Sequence, residues 1–178
     1  MTKPENPDHP DATLNPDQGI AIFTDGSCWT GDRIGGWAWV AVDAYNGCDW
    51  DSGYWWDTTI SQMELCAVSS AMAEMDNRYG DQDLLIFSDS EYVVLGYNQR
   101  ETRRRNTNHD FWSMVFCEAS HHRSVTLEHV RGHDGTEGNE LADQLAGKAR
   151  KEGQVYYERK YGEKGEYLKN PSTKPIEG

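Results

Sequence analysis

The chain has 178 residues, the length of one domain with room for a short appendage. Its 17 Lys and Arg against 30 Asp and Glu give a formal net charge of −13, which argues against a general electrostatic binder of nucleic acid. No apolar run approaches the ~18 residues of a membrane span, and the polar, Pro- and Asp-rich N-terminus lacks the apolar core of a signal peptide. Residues 1–18, with Pro4, Pro7, Pro10 and Pro16, read as a disordered arm. Order is expected over residues 19–152, followed by a polar, partly docked extension over 153–178.

Ile20 to Phe23 is a continuous apolar run closed by Thr24-Asp25-Gly26-Ser27, which predicts a buried strand ending before a turn. Gly31 to Gly36 reads as a glycine-containing turn, Trp37 to Val42 as a second strand, Asn46-Gly47 as a hairpin signal, and Asp49 to Trp56 as the returning strand. The period then changes. Leu65, Val68, Met72 and Met75 recur at helical spacing, predicting a helix over Ser61–Tyr79, capped by Thr59 or Ser61 and ended by Gly80. Leu84 to Phe87 predicts a fourth strand, ending in Ser88-Asp89-Ser90. Helices are expected over Ser90–Tyr97 and Asn108–Ala119, a fifth strand over Val125–Val130, and a last helix from Glu137 to about Lys151. The order β-β-β-α-β-α-α-β-α defines an α/β fold with a five-stranded mixed sheet: three antiparallel strands, then two reached through helices.

The four cysteines, Cys28, Cys48, Cys66 and Cys117, show neither a CxxC pair nor metal spacing, and read as reduced, mostly buried thiols of a cytoplasmic protein. Trp37, Trp39, Trp55 and Trp56 read as core or sheet-face residues. Trp29, in the loop after Asp25, is placed to stack near a substrate. Of the six histidines, His9, His109, His121, His122 and His129 are expected at the surface.

Two buried strands end alike, in Asp25 and in Asp89. If the strands are parallel neighbours, both carboxylates meet at the carboxyl edge of the sheet, where open α/β sheets bind ligands. Glu64 has Ala67, Val68, Ala71 and Met75 at its i+3, i+4, i+7 and i+11 positions, so it sits on an apolar helix face, where a charge is costly without compensation. Asp143 lies between Ala142 and Ala146 in the last helix. Each acid alone has a plain structural role: Asp25 as turn former, Asp89 at a helix start, Glu64 as a dipole partner, Asp143 as a solvated residue. Together they can meet only at one edge of this sheet. Like charges so close need cations, and an oxygen-only set suits Mg²⁺ or Mn²⁺. Two such ions about 3.5–4 Å apart activate water and stabilise the leaving oxygen in phosphodiester cleavage. His133, on the glycine-flanked loop Gly132–Gly135, could shuttle protons or assist product release.

Five blocks in order resemble type 1 ribonuclease H: Phe23-Thr24-Asp25-Gly26-Ser27, Met63-Glu64-Leu65, Ser88-Asp89-Ser90-Glu91-Tyr92-Val93, Val130-Arg131-Gly132-His133 and Gly138-Asn139-Glu140-Leu141-Ala142-Asp143. The resemblance spans about Ile20 to Arg150. It implies hydrolysis of the RNA strand of an RNA/DNA hybrid by two Mg²⁺ ions, with Mn²⁺ as a substitute, leaving 5′-phosphate and 3′-hydroxyl ends. It implies Asp25, Glu64, Asp89 and Asp143 as metal ligands, with Asp25 bridging both ions and Glu64 also touching the ribose 2′-hydroxyl. His133 takes the place of the family's mobile histidine. Thr59 matches a threonine on a DNA-strand phosphate, and Asn139 an asparagine beside the site. Ser27 and Gln62 join the substrate-binding set, as do Arg100, Arg103, Arg104 and Arg105, a local basic patch in an acidic chain. The chain departs from the family pattern where Ile60-Ser61-Gln62 replaces two asparagines that read the minor groove, in the shortened turn Gly31–Gly36, and at Arg100, which replaces an aromatic. A monomer with no protein or membrane partner is expected. A resolvase or transposase core, and a catalytically silent hybrid-binding module, are the competing readings. The His133 loop and the basic segment speak against the first, the intact acidic set against the second.

Overall fold

The computed structural model describes residues 19–31, 33–43, 47–99, 107–132 and 135–162. Five strands form one sheet in the order β3-β2-β1-β4-β5. They are β1 (Ile20–Trp29), β2 (Ile34–Asp43), β3 (Cys48–Trp56), β4 (Asp83–Ser88) and β5 (Ser124–His129). Four helices, α1 (Ile60–Tyr79), α2 (Glu91–Asn98), α3 (His109–Ala119) and α4 (Glu137–Tyr161), complete the expected order. The first three strands are antiparallel; β1–β4 and β4–β5 are parallel, joined by helical crossovers.

Alternate residues of the sheet feed two apolar layers. On one face Ile22, Trp39 and Ile86 pack against Leu65, Val68, Met72 and Met75 of α1 and against Trp112 and Val115 of α3. On the other, Ala38 and Val40 meet Ala142, Leu145 and Ala146 of α4, with Phe23 and Trp50 beside them. Trp112 therefore packs in the core, while Trp55 is exposed. Among the described residues no helix is long and apolar enough to cross a membrane.

Five expectations need correction. β1 does not stop before Thr24: pairing with β2 continues to Trp29↔Ile34, whereas pairing with β4 ends at Thr24↔Ser88. The apolar run ends where the strand loses its second neighbour, not where the strand ends, so Asp25 and Trp29 lie within a strand. Likewise Ile34 to Gly36 belong to β2. The helix expected to stop near Lys151 runs on to Tyr161, because Gly153 seats on Tyr54 of β3 and Tyr156 stacks on Trp56 at 6.0 Å. His122 is only 8% exposed, its Nε2 3.0 Å from the Met72 carbonyl oxygen. Only Cys66 of the four cysteines is fully buried; none forms a disulfide.

Candidate active site

β1 and β4 run parallel in register, and their last matched pair is Thr24↔Ser88. The next residue on each strand is Asp25 and Asp89, so the topology alone sets the two carboxylates side by side. The Thr24 hydroxyl donates to the Phe87 carbonyl at 3.3 Å, and the Ser88 hydroxyl accepts from the Ser90 N–H at 3.1 Å, fixing the backbone on either side of the pair.

Glu64 arrives from α1. Thr59 caps that helix in a reciprocal box: its side chain accepts from the Gln62 N–H, and Gln62 Oε1 accepts from the Thr59 N–H. Gln62 Oε1 also accepts from the Thr58 hydroxyl at 3.0 Å. Thr59 and Gln62, expected to face substrate, thus also set the start of the helix that carries Glu64. The first turn of α1 rests directly on β1. A Cβ on Gly26 would lie 2.5 Å from the Glu64 backbone nitrogen and 2.9 Å from the Met63 carbonyl carbon, so only glycine permits the contact.

The result is a cluster in which one carboxylate oxygen from each of Asp25, Glu64 and Asp89 lies within 4.8 Å of the others. Asp25 is 7% and Glu64 6% exposed, and Glu64 Oε2 is buried with no hydrogen-bond partner. No Lys, Arg or His of the described residues forms an ion pair with any of the three. Burial, then the negative charges of Asp89 and Asp143, push the Asp25 carboxyl up from 3.8 to about 8, against the Gly26 N–H that favours the charged form. Burial first, then Asp25 and Asp89, hold Glu64 well above the ordinary carboxylate range. A buried orphan oxygen and three crowded acids are the chemistry of a site for hard divalent cations.

Asp143 stands at the rim. It is exposed on α4 and lies outside the group of three, yet close enough for its charge to raise Asp25. Asn139, one turn earlier, is buried with its Oδ1 unpartnered. Ser27 is half-buried on β1, two residues past Asp25. Gly132 abuts the cluster: a Cβ there would lie 2.7 Å from Asp89 Oδ2. His133 follows it directly in sequence, but His133 itself and Arg100, Arg103, Arg104 and Arg105 lie outside the described residues. Gly26 and Gly132 were missed as packing points; the signal was a glycine adjacent to a candidate catalytic residue, Asp25 or His133.

A model of the RNase H family matches residues 17–151. A ribonuclease H of Francisella philomiragia is 34% identical over 142 residues, which are 73% of this chain and 90% of that protein. Among solved structures, RNase H1 of the halophilic archaeon Halobacterium salinarum NRC-1 matches with a TM-score of 0.64 at 19% identity, covering 75% of this chain and 98% of the other. LC11-RNase H1, solved in complex with an RNA/DNA hybrid, matches with a TM-score of 0.63 at 20% identity, covering 75% and 97%. The chain belongs to the ribonuclease H family, a family of enzymes.

Proposed function

We propose that the protein hydrolyses the RNA strand of RNA/DNA hybrids with two divalent ions, Mg²⁺ or in its place Mn²⁺, leaving 5′-phosphate and 3′-hydroxyl ends. The observation that carries this reading is the cluster of Asp25, Glu64 and Asp89, two of them buried and none ion-paired among the described residues, in a chain of this family. Asp25, Glu64, Asp89 and Asp143 would hold the ions, with Asp25 central. Bound ions of this kind supply a nucleophilic water at neutral pH and neutralise charge on the scissile phosphate.

The chain's own groups have distinct tasks. Glu64, fixed by the α1 cap and the Gly26 contact, would read the ribose 2′-hydroxyl that separates RNA from DNA. Asp143, exposed at the rim, would complete the ion ligands from α4, its charge already acting on Asp25. His133, next to the Gly132–Asp89 contact, moves a proton or helps product leave. Thr59, Ser27, Gln62 and Asn139 would contact the substrate, and the Arg100–Arg105 patch would take backbone phosphates, a local task that the chain's net charge of −13 does not oppose. A monomer is expected. A cytoplasmic setting, in which the thiols stay reduced, belongs to the same reading.

The test is cleavage of a labelled hybrid in Mg²⁺, with duplex RNA and duplex DNA as controls and end-labelling of the fragments. Cutting confined to the hybrid's RNA strand, with 5′-phosphate and 3′-hydroxyl ends, is expected. Equal cutting of duplex DNA, or hybrid binding without cutting in either metal, would overturn the reading.

A further inference from the structure

We propose that Trp29 and Arg150 form a contact for the hybrid beside the carboxylate cluster, with Arg150 taking a backbone phosphate and Trp29 stacking on a sugar or base. This rests on the hybrid reading above and extends it to a position neither the family blocks nor the acidic cluster includes.

Arg150 is the observation. It lies on α4, two turns after Asp143, on the face turned to the sheet. It is only 9% exposed, and its Nε is buried with no hydrogen-bond partner. No carboxylate among the described residues forms an ion pair with it. A buried cation without an anion is costly, and proteins rarely keep one without a use. Its one described charge contact is the face of the Trp29 ring, 4.9 Å from the guanidinium carbon. Trp29 is in turn 55% exposed, so the ring beneath the guanidinium is open to a ligand. Gly36 brings the two elements together: a Cβ there would lie 2.5 Å from the Arg150 backbone nitrogen, so α4 sits directly on β2 at this point.

The position fits a polyanion entering the site. Ser27 pairs with Gly36 and Trp29 with Ile34, so Ser27 and Trp29 share the sheet face that α4 covers. They lead away from Asp25, and α4 leads from Asp143 to Arg150 alongside them. Four strand residues separate Trp29 from Asp25, about 13 Å. Seven helix residues separate Arg150 from Asp143, about 10 Å. A nucleic-acid strand carries a phosphate every ~3.4 Å along its axis, so this spot falls about three to four nucleotides from the bond at the cluster. A planar guanidinium with an aromatic ring beneath it suits a phosphate together with an adjoining sugar or base.

The experiment is the salt dependence of KM for hybrid cleavage in wild type, Arg150→Met, Arg150→Lys and Trp29→Ala. Lys151→Met, which removes an exposed charge one residue on, serves as the control. Circular dichroism and Tm verify folding. Arg150→Met should raise KM about five- to ten-fold and lower the slope of log KM against log salt by about 0.7–0.9, the signature of one lost phosphate. Arg150→Lys should keep the slope with a smaller rise in KM. Trp29→Ala should raise KM several-fold with the slope intact, and Lys151→Met should match wild type. A folded Arg150→Met with the wild-type slope, showing only a lower Tm, would reduce the pair to a structural pin and overturn the proposal. If Arg150→Met does not fold, wild-type KM in both Trp29→Ala and Arg150→Lys overturns it equally. A wild type that leaves the hybrid uncut contradicts the function reading instead. Fluorescence anisotropy of labelled hybrid with the same variants, in an Asp25→Asn background, then still reads the Arg150 contact.

Discussion

Asp25→Asn should abolish cleavage, by at least about a thousand-fold, and at the same time make the metal-free protein more stable. Both effects have one cause. Asp25 is buried at the centre of the acidic cluster, and its carboxyl is pushed up to about 8 by burial and by Asp89 and Asp143. In EDTA, between about pH 4 and pH 8, the folded protein therefore holds a proton that the unfolded chain has released. The folded state binds more protons, so stability falls as pH rises through this window and levels off above it. Glu64 adds to the fall in the same direction. An asparagine cannot ionise, so at pH 8 the variant escapes the Asp25 share of the penalty. We expect a gain of about 2 kcal/mol, or about 4–8 °C in Tm for a domain of this size, vanishing toward pH 4. Thermal melts in EDTA at the two pH values, beside a cleavage assay in Mg²⁺, check both halves. A variant that loses activity and also loses stability at pH 8 would contradict the electrostatic account.

Gly26→Ala should be among the most damaging single-methyl changes in the protein. The new Cβ would meet backbone, the Glu64 nitrogen at 2.5 Å and the Glu64 Cα at 3.1 Å, and backbone cannot rotate away. Either β1 and the first turn of α1 move apart, or the fold fails. Overpacking of this kind costs about 3 kcal/mol or more, and a shift of about 1 Å between Glu64 and Asp25 costs about a hundred-fold in rate. Gly31→Ala is the matched control, because nothing lies within 4 Å of a Cβ there. Urea unfolding and kcat on the folded fraction are the measurements. A Gly26→Ala protein with wild-type stability and rate would show that this contact does not set the site.

The convergence of Asp25, Glu64 and Asp89 was legible in the sequence because each acid interrupts an apolar pattern. Two end apolar strand runs, and the third sits on a helix face of Ala, Val and Met. Bringing them together requires a common purpose, and parallel strands in register leave one place for it. What stayed hidden depends on contacts between distant segments. Nothing near Thr24 tells that β1 keeps β2 as neighbour after losing β4, so the sequence reads the strand six residues short. Gly153, Val155, Tyr156 and Tyr157 all have weak helix propensity; the end of α4 is helical because Gly153 and Tyr156 pack on Tyr54 and Trp56 of β3. His122 looked like one more polar residue after a helix, and only the Met72 carbonyl explains its burial. Arg150 carried a faint signal, an arginine spaced with Ala142, Ala146, Ala149 and Gly153 on the packed side of α4.

The most direct test of the central claim, that divalent cations complete the acidic cluster, is a titration of metal-free protein with Mg²⁺ and with Mn²⁺, followed by Tm at pH 5 and pH 8. Binding to the folded state alone raises stability by mass action. The account predicts a rise in Tm of wild type with either metal, larger at pH 8 and small at pH 5, where Asp25, its carboxyl pushed up to about 8, still holds a proton that the metal must displace. In Asp25→Asn the rise should shrink to a small fraction. A wild-type Tm indifferent to both metals at pH 8, or an equal rise in Asp25→Asn, would contradict it.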